Sequence, residues 1–279
     1  MIPYKLKIEG SEIANICKTC GTRYSVEIFN EGECPVCLDD RQYLKEYGQQ
    51  WISYHSLKQK HRVVINQLHE NVFELTIQPA FAIGQKAHLL VTEFGNILWD
   101  CIPLLDESSA SFILDRGGLK AIAISHPHYY SLMAEWARFF NCPIYLHEDD
   151  RKWVMDPSDN IIFWQGERHK INRDINLIRI GGHFSGSAVL HLHSSQKSGH
   201  LLTGDTLYLS RDKKHITAMY SYPNFIPLRP EELNAIFKTI EKLDFDSLFG
   251  AFDWQYILKG AKNILMNSME RHQQIHQLG

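Results

Sequence analysis

The sequence has no long run of apolar residues, no marked excess of either charge, and no low-complexity tract or internal repeat. A membrane-spanning helix needs about 20 consecutive apolar residues, so none is expected here. The 29 basic and 32 acidic residues give a net charge of only -3, so no strong field marks a nucleic-acid or membrane surface as a partner. The N-terminal residues also lack the apolar stretch of a signal peptide. We therefore expect a soluble cytoplasmic protein.

Enough apolar sequence is present to bury a full core, since 44% of the 279 residues are hydrophobic and 22% are charged. The composition of the sequence changes along the chain. The first residues are polar and rich in turn formers, whereas longer apolar segments begin near Val63. We predict two domains, a small N-terminal module over residues 1–50 and a large domain over residues 51–279.

Apolar segments of strand length alternate with amphipathic segments in the large domain. VFELTIQ, LKAIAIS and AVLHLH are interpreted as strands, and DSLFGAF is interpreted as the final strand. YSLMAEWARFF and PEELNAIFKTIEKL predict helices, the second with Pro230 in its first turn. This order indicates an α/β fold in which helices cover mixed sheets.

Four of the six cysteines form two C-x-x-C pairs, Cys17 with Cys20 and Cys34 with Cys37, and thirteen residues separate the pairs. Each pair forms a turn in which two thiolates converge, and two such turns supply the four ligands of a tetrahedral Zn²⁺ site. A module this small has little core, so a structural zinc ion is expected to stabilise it. We expect this zinc-ribbon or zinc-knuckle module to dock onto the large domain or onto a protein partner, and not onto nucleic acid.

The other two cysteines, Cys101 and Cys142, lie among apolar residues and are interpreted as core residues.

Two histidines one residue apart, His126 and His128, directly follow a predicted strand. An H-x-H pair alone is weak evidence for a metal site, because structural histidines are commoner. Two later loops strengthen the interpretation. His183 lies in GGHFSGS and Asp205 lies in TGDT, each at the end of a predicted strand, where loops carry chemistry.

In their order along the chain, these four residues resemble the metal motif of the metallo-β-lactamase fold superfamily. The resemblance extends from about Val63 to Phe252. It implies an αββα sandwich of two mixed sheets with the metal site at one edge. It also implies enzymatic activity, since most members hydrolyse thioesters, lactams, lactones or phosphodiesters.

The sequence departs from the full family motif, H-x-H-x-D-H, because Tyr130 and Ser131 stand in the places of the aspartate and the last histidine. Phe252 stands in the place of a further histidine near the end of the domain. In the family these three ligands belong to the second metal alone. The resemblance therefore implies a mononuclear site formed by His126, His128, His183 and Asp205.

Zn²⁺ held by three histidines lowers the pKa of a bound water from ~15.7 towards ~7 and so generates hydroxide at neutral pH. We predict a zinc-dependent hydrolase that attacks a small-molecule ester, thioester or lactone with a metal-bound hydroxide. Asp205 is predicted to bind the metal or to orient the water, and Tyr130 to donate a hydrogen bond to a developing oxyanion. Asp253 is a further candidate for proton handling. The aromatic segment MYSYPNFIPLRP is either a wall of the substrate pocket or an ordinary loop.

Two other functions stay open at this point. His126, His183 and Asp205 form the two-histidine, one-carboxylate set of non-haem Fe(II) oxygenases, and the superfamily includes persulfide dioxygenases, so Fe²⁺ is the second candidate metal. The other alternative is a non-catalytic, protein-binding member of the fold.

Overall fold

The computed structural model of the protein describes residues 6–29, 32–193 and 199–277. These residues form two compact units. Unit 1 contains the described residues up to Leu146 and the segment Arg151–Phe163, and unit 2 contains His147–Asp150 and the described residues from Trp164 onward. Among the described helices, none combines the length and apolar character needed to cross a membrane. The predicted domain boundary after residue 50 stays a prediction.

The N-terminal part of unit 1 contains only short elements, as its polar, turn-rich sequence predicts. These elements are β1 (Ile16–Cys17), α1 (Pro35–Leu38), β2 (Trp51–Ile52) and α2 (Tyr54–Lys60). Strands β1 and β2 pair in antiparallel fashion, with Cys17 opposite Trp51. Pro35 occupies the first turn of α1, where its missing N–H costs no hydrogen bond. The side chain of Ser53 caps α2 by accepting a hydrogen bond from the backbone N–H of Ser56.

A seven-stranded sheet follows, with its strands in chain order. Its strands and the helices that connect them are β3 (Arg62–His69), β4 (Val72–Gln78), β5 (Ala87–Leu90), β6 (Ile97–Trp99), α3 (Glu107–Leu114), β7 (Ala121–Ala123), α4 (Met133–Phe140), β8 (Ile144–His147) and β9 (Ile161–Trp164). Strands β3 to β6 pair in antiparallel fashion, whereas β7 pairs in parallel with both β6 and β8. The sheet is therefore mixed.

Helix α4 is shorter than the helix that YSLMAEWARFF predicts. It begins at Met133 because Ser131 has a left-handed backbone, with φ of 40°, which a helix cannot continue through. It ends at Phe140, because the next residue, Asn141, adopts a left-handed conformation with φ of 50°. The residues between β7 and α4 are thus a separate, irregular segment.

A six-stranded sheet in the order β10-β11-β12-β13-β18-β19 and two small hairpins make up the strands of unit 2. The strands and helices are β10 (Arg168–Lys170), β11 (Ile175–Arg179), β12 (Ala188–Leu192), β13 (His200–Gly204), β14 (Tyr208–Leu209), β15 (Ile216–Thr217), β16 (Met219–Ser221), β17 (Ile226–Pro227), α5 (Pro230–Glu241), β18 (Ser247–Gly250), β19 (Tyr256–Ile257) and α6 (Ala261–Gln277). Only the β13–β18 pair is parallel among the pairs of this sheet, so the second sheet is also mixed.

The core of unit 2 is formed where apolar side chains of α5 and α6 pack against the sheet. Phe237 of α5, Leu248 of β18 and Leu265 of α6 are fully buried members of one cluster. Pro230 opens α5 as predicted. The prediction that DSLFGAF is the final strand is wrong, because β18 covers only part of it. The chain then reverses in a turn closed by Gln255, whose backbone and side-chain oxygens accept hydrogen bonds from Gly250 and Ala251, and β19 pairs back onto β18.

Candidate metal sites

The four cysteines of the two C-x-x-C pairs converge, as the sequence predicts. All four are buried, and their sulfur atoms lie within 4.8 Å of one another. The Cys17–Cys37 and Cys20–Cys34 sulfur pairs are each separated by 3.7 Å. Ligand sulfurs about 2.3 Å from a tetrahedral zinc ion stand about 3.8 Å apart, so the cluster has the dimensions of such a site.

Tight backbone turns bring each pair of sulfurs together. In the first pair, the N–H of Gly21 donates to the carbonyl of Cys17 at 2.8 Å, and in the second the N–H of Cys37 donates to the carbonyl of Cys34 at 2.9 Å. Gly21 has φ of 81°, and a Cβ atom there would lie 2.9 Å from the ring of Pro103. Glycine is therefore required by both the turn and the close approach.

Hydrogen bonds reach the cysteine cluster from neighbouring side chains, and the pKa values of Cys17 and Cys20 are shifted. The hydroxyl of Tyr24 donates to the sulfur of Cys34 at 3.0 Å, and the amide of Gln49 donates to the sulfur of Cys17 at 3.2 Å. Hydrogen bonds from the other three cysteines lower the pKa of Cys17, whereas the hydrogen bond with Cys17, together with burial, raises the pKa of Cys20 well above its usual value. The pKa values of Cys17 and Cys20 are therefore shifted in opposite directions. Because zinc binds thiolates, a metal ion bound here would favour the ionised form of the cysteines.

All six cysteines have free thiols, which agrees with metal binding in preference to disulfides. Cys101 and Cys142 are buried among apolar residues, as predicted for core cysteines.

A second group contains the predicted ligands His126, His128, His183 and Asp205. All four residues are buried, and each offers one ligand atom within 4.8 Å of the others. The imidazole centroids of His126 and His128 are 5.2 Å apart, and Nε2 of His183 lies 3.9 Å from Oδ1 of Asp205. These four residues therefore form a group that is able to bind a metal ion.

The end of β7 positions the first two histidines. His126 has an extended backbone and directly precedes a one-turn 3-10 helix, Pro127–Tyr129. The N–H of Tyr129 closes this turn by donating to the carbonyl of His126 at 3.1 Å. The strand behind the turn is buried and paired on both sides, and the two imidazoles that follow it lie edge to face, with an interplanar angle of 80°.

A chain of hydrogen bonds supports His126 from behind. Ser125 Oγ lies 2.8 Å from Nδ1 of His126, and the N–H of Ser125 donates to Oδ1 of Asp100 at 2.7 Å. Burial lowers the pKa of His126 to about 3, and the positive charge of Arg41 contributes, so the ring is neutral and suited to metal binding. Sequence reasoning gave Ser125 no role, although a hydroxyl residue directly before the H-x-H pair was the available signal.

Glycine and a backbone carbonyl orient His183 within unit 2. Gly182 has φ of 83°, and a Cβ atom there would lie 2.9 Å from the side chain of Ile236, which explains the G-G-H sequence. Nδ1 of His183 donates to the carbonyl of Tyr220 at 2.7 Å. Since a carbonyl can only accept, the proton is on Nδ1, and Nε2 carries the lone pair on the side of Asp205.

Asp205 lies in a tight turn directly after β13. The turn is closed by the backbone N–H and the hydroxyl of Thr206, which donate to the carbonyl of Thr203 at 3.1 and 2.6 Å. Gly204 has φ of 55°, which the turn requires. The G-D pair therefore places the backbone of Asp205 by local turn geometry.

Aromatic rings extend outward from His183 in unit 2. The ring of Tyr222 lies 5.6 Å from His183 and is stacked on Tyr208 at 4.7 Å. Phe252 and Trp254 lie 6.5 and 6.1 Å from Tyr208. Sequence reasoning noted the aromatic segment around Tyr222 but did not identify this tyrosine individually.

The surroundings of the Tyr222 hydroxyl shift its pKa. Burial raises its pKa well above the usual value, and the negative charge of Asp205 adds to the shift. The group therefore keeps its proton next to the metal-binding residues.

The two other predicted catalytic residues lie in different settings. Tyr130 is buried directly after the 3-10 turn, but the ring that contacts His126 is that of Tyr129, with centroids 4.9 Å apart. Asp253 is exposed in the turn between β18 and β19. The catalytic roles of Tyr130 and Asp253 stay predictions.

No protein-family model matches the chain. A curated protein does: the sequence is 41% identical over 260 residues to the uncharacterized protein YmaE of Bacillus subtilis (strain 168), covering 92% of this chain and 94% of YmaE. The chain belongs to the same family as YmaE. Because YmaE is itself uncharacterized, the relationship assigns no activity.

The structure is similar to crystal structures of metallo-β-lactamases. The match to DIM-1 has a TM-score of 0.57 and 13% identity and covers 77% of this chain and 98% of DIM-1. The match to FIM-1 from Pseudomonas aeruginosa has a TM-score of 0.55 and 10% identity and covers 76% of this chain and 96% of FIM-1. Identity this low shows the fold alone. The prediction of a metallo-β-lactamase-like α/β fold with two mixed sheets and an N-terminal four-cysteine module is confirmed.

Proposed function

We propose that the chain is a metal-dependent hydrolase with one metal ion at His126, His128, His183 and Asp205, and that its substrate is a small ester, thioester or lactone. The observation that carries the proposal is the convergence of three imidazoles and one carboxylate, all buried, in a metallo-β-lactamase fold. A second, structural zinc ion is proposed for the four-cysteine cluster.

The donors of the His/Asp group suit a zinc ion, because neutral imidazoles and carboxylates are among its preferred ligands. A divalent metal at this group supplies Lewis-acid polarisation and lowers the pKa of a bound water to ~7. The crystal structure of FIM-1 is that of a mono-zinc form, so a single zinc ion occupies the same fold in that protein. This precedent supports a one-metal site here.

Residues of the chain would orient the ligands and the water and would form a hydrogen bond with the substrate oxygen. The Tyr220 carbonyl and the Ser125 hydroxyl keep the His183 and His126 rings in their orientation. The Asp205 carboxylate accepts a hydrogen bond from the attacking water and orients it. Tyr222, whose ring contacts His183, donates a hydrogen bond to the oxygen that becomes negative during attack.

The surface beside these residues supports an apolar substrate group with an anionic end. Tyr208, Phe252 and Trp254 are half-buried and present ring faces for apolar contact. The guanidinium of Arg211 lies 3.4 Å from the centroid of Trp254, so a positive charge borders these rings. A carboxylate on the acyl part of the substrate would pair with this charge.

The test is hydrolysis of a panel of aryl esters, thioesters and lactones by the purified, zinc-loaded protein, with and without a carboxylate on the acyl part. The matched control is His183→Gln, which removes one ligand and keeps a side chain of similar length. We expect hydrolysis by the wild type and a loss of at least about 100-fold in the control.

Two outcomes would overturn the proposal. Iron in the His/Asp group, with oxygen consumption on a glutathione persulfide substrate, would move the chain to the non-haem iron oxygenases. A metal-loaded protein that turns over none of these substrates would favour the non-catalytic, protein-binding alternative.

A further inference from the structure

Ser131 lies three residues after His128, and its unusual backbone conformation has to be stabilised by neighbouring groups. Its φ of 40° is in the left-handed region, which residues other than glycine seldom occupy. The side chain is buried. In the resemblance to the metallo-β-lactamase superfamily, this position belongs to a histidine of the second metal.

The groups that hold Ser131 come from the four-cysteine module and from one buried glutamine. The N–H of Arg23, three residues after Cys20, donates to the Ser131 carbonyl at 3.1 Å. The side-chain amide of Gln85 donates to the Ser131 hydroxyl at 3.2 Å and to the carbonyl of Cys20 at 3.0 Å. Gln85 therefore links a zinc-ligand candidate directly to the segment that follows the H-x-H pair.

A buried ion pair strengthens the same connection. The guanidinium of Arg23 pairs with the carboxylate of Glu135 in the first turn of α4, and both side chains are more than nine-tenths buried. The same guanidinium donates to the carbonyl of Glu9 at 2.7 Å, and the carboxylate also accepts from Arg138 at 2.6 Å. A buried pair satisfied on both sides fixes the distance between Arg23 and the start of α4.

The position of Arg23 depends in turn on the first C-x-x-C turn. Within this turn the N–H of Gly21 donates to the carbonyl of Cys17 at 2.8 Å, and Gly21 packs against Pro103 and Gln85 without room for a Cβ atom. A metal ion that gathers the four sulfurs therefore also fixes the Cys20 carbonyl and the Arg23 N–H. These are the two groups through which the module reaches Ser131.

From these contacts we infer that the four-cysteine cluster is a positioning element for the His126–His128 segment, and that Gln85 and Ser131 are the positioning residues that couple the two. Metal binding by the cluster thereby raises the metal affinity of the His/Asp group. Ser131, in place of a second-metal ligand, serves as the attachment point of the module. The inference rests on metal binding by the His/Asp group but not on the reaction proposed for it. Binding of a separate protein to the module stays a prediction.

The test measures Co²⁺ binding to the His/Asp group by its visible absorption, with zinc retained in the cluster and with a chelator as competitor. The variant is Gln85→Ala, which removes both hydrogen bonds of the link. The matched control is Gln49→Ala, which removes a hydrogen bond to the cluster at Cys17, away from Ser131. We expect Gln85→Ala to weaken Co²⁺ binding by about 10- to 100-fold and to shift the absorption bands. Gln49→Ala should change the affinity by less than about 2-fold.

Ser131→Ala provides a second variant in case Gln85→Ala folds poorly, since it removes only the hydroxyl that accepts from Gln85. We expect weaker Co²⁺ binding, by about 5- to 10-fold. Unchanged Co²⁺ affinity and spectrum in both variants, or an equal loss in Gln49→Ala, would overturn the coupling. No substrate is present, so a protein that shows the coupling but hydrolyses nothing refutes the proposed function alone. A wild-type protein that binds no Co²⁺ at the His/Asp group overturns both.

Discussion

The two metal-binding groups are assembled in opposite ways. The cysteine ligands all come from residues 17–37 and are brought together by two local turns, whereas the ligands of the His/Asp group come from three loops between residues 126 and 205. Four thiolates complete a tetrahedral shell, which is typical of structural zinc, while imidazoles with a nearby carboxylate are typical of sites where chemistry occurs. Local spacing is therefore enough to assemble the cysteine group, whereas the His/Asp group depends on loops that are far apart in the sequence.

The largest expected effect on stability comes from the cysteine cluster. Cys34→Ser removes one of four thiolates, and because metal binding contributes to folding, we expect the free energy of unfolding to fall by at least about 3 kcal/mol. This corresponds to a Tm lower by at least about 6 °C, measured by calorimetry. Cys142→Ala is the control, a buried core cysteine whose loss should cost about 1 kcal/mol and no metal. A cluster that keeps its metal in Cys34→Ser would refute the four-thiolate site.

At the His/Asp group the largest effect should be on activity and not on stability. Asp205→Asn keeps the shape of the side chain but removes its charge, so we expect kcat/KM to fall by about 1,000-fold with a Tm within about 3 °C of wild type. The exposed Asp159 provides the control, since Asp159→Asn should leave both quantities unchanged. Activity retained in Asp205→Asn would remove Asp205 from the mechanism.

A smaller effect, on zinc affinity, is expected for the residues that form hydrogen bonds with the ligand His126 or with its neighbour Ser125. Ser125→Ala deletes the hydroxyl at 2.8 Å from Nδ1 of His126, so the ring loses its support, and we expect zinc affinity to fall by about 10- to 100-fold in a chelator competition. Asp100→Asn keeps an oxygen that accepts from the Ser125 N–H, and asparagine tolerates the left-handed backbone of this position. It should therefore bind zinc within about 3-fold of wild type. Equal losses in the two variants would indicate general disruption.

The smallest effect on the reaction is expected at the aromatic surface. Tyr222→Phe removes one hydrogen-bond donor beside His183, and we expect kcat to fall by about 10-fold while the metal content stays the same. The control is Tyr208→Phe, because the ring of Tyr208 stacks on that of Tyr222. This variant should change kcat by less than about 2-fold. A change in KM alone would make Tyr222 a substrate-contact residue instead of a hydrogen-bond donor in the reaction.

The sequence predicted what depends on local spacing or on the order of motifs. The two C-x-x-C pairs indicated the cysteine cluster, and H-x-H, G-G-H and G-D in that order indicated both the ligand set and the fold. The support given by Ser125 was not predicted, because its partners Asp100 and His126 meet only when β6 and β7 pair.

The late start of α4 and the contacts of Ser131 were missed for a similar reason. The periodicity of apolar residues does not show that Ser131 has a left-handed backbone. Its partners Arg23 and Gln85 come from distant parts of the sequence. Strand β19 was missed because two residues are too few to show an alternation.

The most direct test of a single-metal His/Asp group beside a structural cluster is the metal content per chain of the wild type, Cys34→Ser and His126→Gln, measured by elemental analysis after zinc loading. We expect about two zinc ions in the wild type and about one in each variant, since each substitution removes a ligand from a different group. About three zinc ions in the wild type, with two of them lost in His126→Gln, would show a two-metal site and contradict the account.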